Sequence, residues 1–228
     1  MNEECLICGA KLVYLSEARE MECGICRKKE MSRTICENGH YVCNECHMGG
    51  MDAVFGVCLT EKSRNPIEIM EKLMSLEFCH MHGPEHHVMT AMALITAYKN
   101  AGGELDLHYA LREAYARGKE VPGGACGFWG ACGAGISSGI FVSVISGADP
   151  LSGEAYGLAN SMTAKSLAAI GKVGGPRCCK RNAYLAILSA AAFVREHFVV
   201  PIETNPPKCT RSAMNNQCIK GKCPFYRG

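Results

Sequence analysis

Between Cys5 and Cys46 the chain places seven cysteines and one histidine in four pairs: Cys5-x2-Cys8, Cys23-x2-Cys26, Cys36-x3-His40 and Cys43-x2-Cys46. A two-residue gap lets one tight turn aim both sulfurs at the same ion. Eight soft ligands are the number that two tetrahedral Zn²⁺ sites require. Such shells leave no position for water or substrate, which marks structural rather than catalytic zinc. Reaction chemistry is therefore expected elsewhere in the chain.

From Cys23 onward the spacing resembles the first three pairs of a RING-type cross-brace, with Cys5 and Cys8 supplying the fourth pair from upstream. Alternate pairs would then share a metal: Cys23, Cys26, Cys43 and Cys46 around one ion, Cys5, Cys8, Cys36 and His40 around the other. A sequential pairing, as in a zinc ribbon, satisfies the same ligand count.

Four further motifs concentrate reactive side chains. Cys79-His-Met-His-Gly-Pro-Glu-His-His87 holds one thiol, four imidazoles and a carboxylate within nine residues, at the start of a helix. His82, His86 and His87 are candidate metal ligands, and Glu85 a candidate orienter or proton acceptor; a solvated loop is the plain alternative. Successive helical residues point about 100° apart, so His86 and His87 are not expected to face one ion together. The run Pro122-Gly-Gly-Ala-Cys-Gly-Phe-Trp-Gly-Ala-Cys-Gly-Ala-Gly135 sets Cys126 and Cys132 among glycines that let the backbone approach a ligand. Cys132 opens an apolar helix, whose positive end favours a thiolate. Close helix packing around two buried thiols is the competing explanation. Gly174-Gly-Pro-Arg-Cys-Cys-Lys-Arg181 places vicinal Cys178 and Cys179 beside Arg177, Lys180 and Arg181, a site for low-pKa thiols and an anionic substrate or cofactor. Last, Cys209, Cys218 and Cys223 offer three thiols in the tail, with Cys178 or Cys179 as the possible fourth ligand of an iron–sulfur cluster. A zinc site completed by histidine would use the same residues.

The elements that must position these motifs are helical. Helices are expected at Pro66 to Met74, Pro84 to Tyr98, Asp106 to Arg117, Cys132 to Ile145, Gly153 to Ile170 and Pro176 to His197, from apolar spacing and from Pro or Gly at their ends. The fold class is mainly α: a small zinc-binding module (ribbon or RING-like cross-brace) over 1–50, a helical domain over 51–200, and a Pro-rich linker with a Cys-bearing tail over 201–228. The apolar stretch 131–148 is broken by glycines and serines and reads as a buried helix packed through small residues rather than a membrane span. Sixteen cysteines in 228 residues, without a secretory leader, suggest metal ligands or redox groups in a reducing cytoplasm. A formal net charge of +2 gives no electrostatic case for nucleic-acid binding.

The runs Cys36 to His47, His82-Gly-Pro-Glu-His-His87, Pro122 to Gly133 and Gly174 to Arg181 resemble an uncharacterised domain-of-unknown-function family found mainly in strict anaerobes. The resemblance covers about residues 1–200 and is weaker over the tail. It implies an anaerobic cytoplasm and that these motifs matter. Some relatives are joined to methyltransferase domains.

Two functions follow as expectations. The favoured one is a metal- or iron–sulfur-dependent enzyme of sulfur-transfer, thiol redox or one-carbon chemistry, acting on a small-molecule or sulfur-donor substrate. Its pocket would be lined by His82, His86, Cys126, Cys132 and Cys178. The alternative is a zinc-organised adaptor that docks on a partner enzyme such as a methyltransferase.

Overall fold

Paired ligands at both ends turn residues 12–36 into a hairpin. The computed structural model describes residues 5–227. Strand β1 (Leu12–Glu22) pairs antiparallel with β2 (Lys29–Cys36), from Leu12 opposite Cys36 to Glu22 opposite Lys29, with a bulge between Tyr14 and Arg19. The hairpin turn carries Cys23 and Cys26, while Cys36 closes its open end near Cys5 and Cys8. A one-turn helix α1 (Asn44–His47) then leads into the helical domain.

Helices α2 (Met51–Thr60), α3 (Pro66–Met74) and α5 (Leu107–Gly118) surround α4 (Glu85–Asn100), together with α7 (Gly133–Ser146) and α9 (Cys179–His197). All residues of α4 from Glu85 to Tyr98 are buried, as expected of a helix covered on every side. The short α6 (Ala125–Phe128) precedes α7, and α8 (Glu154–Val173) packs on α7 and α9. Local signals set several ends: Asn65 caps α3 by accepting from the Ile67 N–H at 3.0 Å, with Pro66 at the first position, and Asp106 caps α5 by accepting from Tyr109 N–H at 2.9 Å.

The apolar run 131–148 forms α7, which is packed through its small residues. A Cβ on Gly139 would overlap the Thr163 hydroxyl and sit 3.1 Å from the Ala159 carbonyl, so glycine lets α7 and α8 approach closely. Ser138 and Ser166 share a 2.8 Å hydrogen bond across that seam. Among the described residues no helix is long and apolar enough to cross a membrane.

The tail is part of the core. Ile202 and Phe225 are buried in the main cluster, and Phe225 packs edge-on against Tyr184 of α9 at 5.3 Å. Arg211 reaches back to α3, donating to Glu71 at 2.6 Å and to Ser75 at 3.0 Å, and the Tyr184 hydroxyl donates to the same Glu71. A partly buried, charge-assisted bridge of this kind contributes about 1.5–3 kcal/mol.

Candidate functional site

The eight N-terminal ligands fall into two compact groups, Cys5/Cys8/Cys36/His40 and Cys23/Cys26/Cys43/Cys46, with the atoms of each within 4.8 Å of one another. Alternate pairs are joined, which is the cross-brace arrangement. Backbone N–H groups aim at the sulfurs: Ile7 at Cys5 (3.4 Å), His40 at Cys36 (3.2 Å) and Cys43 at Cys23 (3.4 Å). A backbone N–H, with His40 and Asn38 nearby, holds Cys8 down to about 6. Burial opposes ionisation of Cys23, yet three backbone N–H groups outweigh it and bring that thiol to about 6 as well. Both groups can hold a metal ion and suit zinc.

A third compact group, Cys79/Glu85/His86, lies inside the helical domain and is wholly buried. Glu85 accepts from the His80 N–H at 3.1 Å and contacts His86 Nδ1 at 3.3 Å and His47 Nδ1 at 3.2 Å. Burial resists its ionisation, but His47 and His86 prevail and keep the carboxyl well below its usual range. Because His47 follows Cys46, this carboxylate ties the N-terminal module to the start of α4. On the other side, Lys180 donates to Cys79 Sγ at 3.0 Å and to the His80 carbonyl at 2.7 Å. Burial of Cys79 is outweighed by His86 and Lys180, so its thiol lies below its ordinary value. The buried ammonium supplies the positive charge that a metal would otherwise bring, making this group a charge-balanced strut.

Between the N-terminal module and the helices lies a cavity of about 490 Å³. From the helical side His82, His87, Cys126, Trp129, Arg177 and Cys179 line it. Tyr14, Arg33, Tyr41 and His47 close it from the other. His87 donates from Nδ1 to the Val121 carbonyl at 3.0 Å, leaving the Nε2 lone pair, and burial drives it down to about 4. Gly133 makes room for this ring: a Cβ there would lie 2.5 Å from Nε2 and closer still to two ring carbons. Burial, and then Arg177, bring His82 down to about 3, so both imidazoles are neutral near pH 7. Burial also raises the Cys126 thiol, and a charge on nearby Cys132 would raise it further.

A second cavity, of about 20 Å³, is lined by Cys178, Cys209, Cys218 and Cys223 with Met81 and Phe225 beside them. Cys209 and Cys218 each accept from the backbone N–H two residues on, Arg211 and Lys220, at 3.4 Å. This is the turn that Ile7 makes on Cys5 in the N-terminal module. Cys178 caps α9, accepting from Arg181 N–H and from Asn215 Nδ2, both at 3.5 Å. These four sulfurs are not among the groups packed within 4.8 Å; they surround a space rather than a point.

The expected single pocket is therefore divided. His82 and Cys126 face the large cavity, His86 lies behind it with Cys79 and Glu85, and Cys178 faces the small one. Cys132 stands at the N-cap position of α7, and its sulfur accepts from Asn182 Nδ2 at 3.2 Å rather than from the helix backbone. The rotation of about 100° per helical residue separates His86 from His87, while Cys178 is extended at the N-cap of α9 and so leaves the chain in a different direction from Cys179, the first helical residue. The helix starts themselves do meet: the Cys179 N–H lies 3.5 Å from His82 Nδ1, and Asn182 of α9 reaches Cys132 before α7.

Residues 54–226 match the model of DUF5714, a family of unknown function. The chain belongs to that family. The matched span includes Cys79, both glycine-rich motifs and all three tail cysteines, whereas the eight N-terminal ligands precede it. No curated protein and no solved structure matches the chain. The expectation that Arg177, Lys180 and Arg181 lower the vicinal thiols is not met, because burial raises both Cys178 and Cys179; Lys180, read from the sequence as part of that cationic site, is instead fully buried against Cys79, a pair the sequence does not reveal. Sequence reasoning also missed Tyr14 and Arg33, which enter the site from a hairpin it did not anticipate.

Proposed function

We propose that this chain is an iron–sulfur metalloenzyme of thiol redox, sulfur-transfer or one-carbon chemistry, with two structural Zn²⁺ in its N-terminal module and a cluster in the small cavity. The supporting observation is that Cys178 joins Cys209, Cys218 and Cys223 around one small space, with N–H donors on three of the four sulfurs. Four thiolates are the ligand set of a four-iron cluster, and N–H donors to sulfur are among the features that set its potential. When bound, such a cluster supplies one-electron transfer. Cys178 from α9 and three tail cysteines would hold it, with Arg211 pinning the tail to α3.

The large cavity is the reaction chamber in this reading. Cys126 and Cys179 supply thiols, with Cys132 close behind; neutral His82 and His87 can accept protons, and Arg177 offers positive charge. Glu85 does not line the chamber and acts as a positioning residue through His47 and His86. A small molecule or sulfur donor fits the volume. Sixteen unpaired thiols suit a reducing, anaerobic cytoplasm. The adaptor reading, docking on a partner enzyme such as a methyltransferase, draws support from exposed Trp129 and Met31, at 66% and 65%.

The test is anaerobic purification and reconstitution with iron and sulfide. We expect about four irons per chain with broad visible absorption, and loss of both in a Cys209/Cys218/Cys223 triple serine variant. Unchanged iron and spectrum in that variant would remove the cluster from the tail and leave the adaptor reading.

A further inference from the structure

Cys178 and Cys179 are consecutive, yet their side chains serve opposite cavities. Cys178 lines the small four-cysteine space and Cys179 lines the large chamber. One peptide unit therefore separates Cys178, which would hold the cluster, from a chamber thiol, and a cluster bound there would supply electrons with no side chain between. The chamber also carries positive charge; Glu30, which lines it too, is engaged by Lys28 and by the Tyr41 hydroxyl. Arg33 and Arg177 line it, and neither makes an ion pair among the described residues. Each guanidinium instead lies over an aromatic face, Arg33 over Phe128 at 5.3 Å and Arg177 over Tyr14 at 5.4 Å, and those two rings meet edge-on at 6.0 Å. This Arg–Phe–Tyr–Arg row joins the hairpin to the helical domain along the chamber wall. Cation–π packing orients a guanidinium while leaving its N–H groups directed outward, where a carboxylate or phosphate can take them bidentately.

Resting on the iron–sulfur reading above, we infer that the chamber reduces the sulfur–sulfur bond of a small anionic organic disulfide. Arg33 and Arg177 hold the anionic group, and Cys179 is the thiol that reacts. Burial keeps the Cys179 thiol protonated, with Arg177 opposing that effect; its sulfur attacks one sulfur of R–S–S–R′, a Cys179–S–S–R bond forms, the S–S bond of the substrate breaks, and the thiol proton passes to the leaving R′–S⁻ to give R′–SH. Two electrons, passed singly from a reduced one-electron donor protein of the ferredoxin class, then cleave the mixed disulfide to R–S⁻ and the Cys179 thiolate. Two protons from solvent complete the products. The balance is R–S–S–R′ + 2 e⁻ + 2 H⁺ → R–SH + R′–SH.

The experiment uses the full chain loaded anaerobically with iron and sulfide, reduced methyl viologen as donor, and glutathione disulfide as the anionic probe, with hydroxyethyl disulfide as its neutral counterpart. We expect viologen oxidation with the anionic disulfide at a kcat/KM at least about tenfold above the neutral one, which corresponds to about 1.4 kcal/mol. Arg177→Gln and Arg33→Gln should raise KM for glutathione disulfide by a larger factor than for the neutral substrate, so that the preference for the anionic disulfide shrinks. Cys179→Ser should abolish turnover while iron content and visible spectrum stay those of the parent. Spectra report the cluster independently of turnover, so the two readings fail separately. A loaded cluster without disulfide-dependent viologen oxidation, or full activity in Cys179→Ser, overturns the reductase inference and leaves the iron–sulfur reading in place. A chain that takes up no iron overturns that reading itself. Equal rates with anionic and neutral disulfides overturn the assignment of Arg33 and Arg177.

Discussion

Replacing Gly133 with alanine puts a methyl group where the His87 ring now lies. The new Cβ would stand 2.5 Å from Nε2 and nearer to two ring carbons, while ordinary contact begins at 3.4 Å. The ring must therefore retreat by about 1 Å. It cannot do so freely, because its Nδ1 donates to the Val121 carbonyl at 3.0 Å. Overpacking of this kind costs about 1–3 kcal/mol, and loss of the hydrogen bond adds about 1 kcal/mol. Alanine is the better helix former by up to about 1 kcal/mol, which offsets part of this at the first position of α7. The net expectation is a loss of about 1–3 kcal/mol, or a Tm lower by about 2–10 °C for a chain of this size. Thermal unfolding of Gly133→Ala, His87→Ala and the double variant measures it. Removing His87 should relieve the clash, so the double variant should be at least about 1 kcal/mol more stable than the sum of the single effects. A Gly133→Ala protein within about 0.5 kcal/mol of the parent, or strictly additive effects, would refute the assigned contact.

Cys43→Ser should release zinc and unfold the N-terminal module while far-UV helicity is largely kept, since about 50 residues with few large apolar groups depend on metal to fold; metal analysis below about two zinc ions per parent chain would contradict the two-site assignment. Arg211→Ala should cost about 1.5–3 kcal/mol and free the tail from α3, read as faster proteolysis after 201 and lower iron retention; wild-type proteolysis would count against the docked tail. Folding holds His87 neutral down to about pH 4, whereas the unfolded chain takes up a proton near the ordinary imidazole value of 6.5. Above about pH 6.5 neither state is protonated there; between about 6.5 and 4 only the unfolded state takes the proton, so stability should decline across that range by about 3 kcal/mol in all and change no further below it. Denaturant midpoints across that range should show this decline, and His87→Gln should lack that share of it.

The helices were readable in the sequence because their ends carry local signals: Asn65-Pro66 before α3, Asp106 before α5, and Gly102 after α4. The hairpin was not. Strand β1 reads LVYLSEAREME, whose Glu, Ala, Arg and Met favour a helix, yet residues 12–22 are extended because ligand pairs on both sides fix the ends of the segment. Metal-ligand spacing outweighs local propensity there. Helix α2 was also missed; Gly56 and the adjoining His47-Met-Gly-Gly50 obscure its pattern. The four motifs were legible as chemistry, but their division between two cavities was not. That division depends on which way consecutive side chains leave a helix start, and it decides that Cys178 turns to the tail while Cys179 turns to the chamber.

The most direct measurement is therefore electron paramagnetic resonance of the reduced, reconstituted Cys178→Ser and Cys179→Ser proteins beside the parent. Cys178→Ser should change the cluster signal or lose it, since that sulfur is a ligand, and Cys179→Ser should retain the parental signal and iron content. Equal loss in both variants, or a parental signal in Cys178→Ser, would contradict the placement of the cluster on which the whole reading rests.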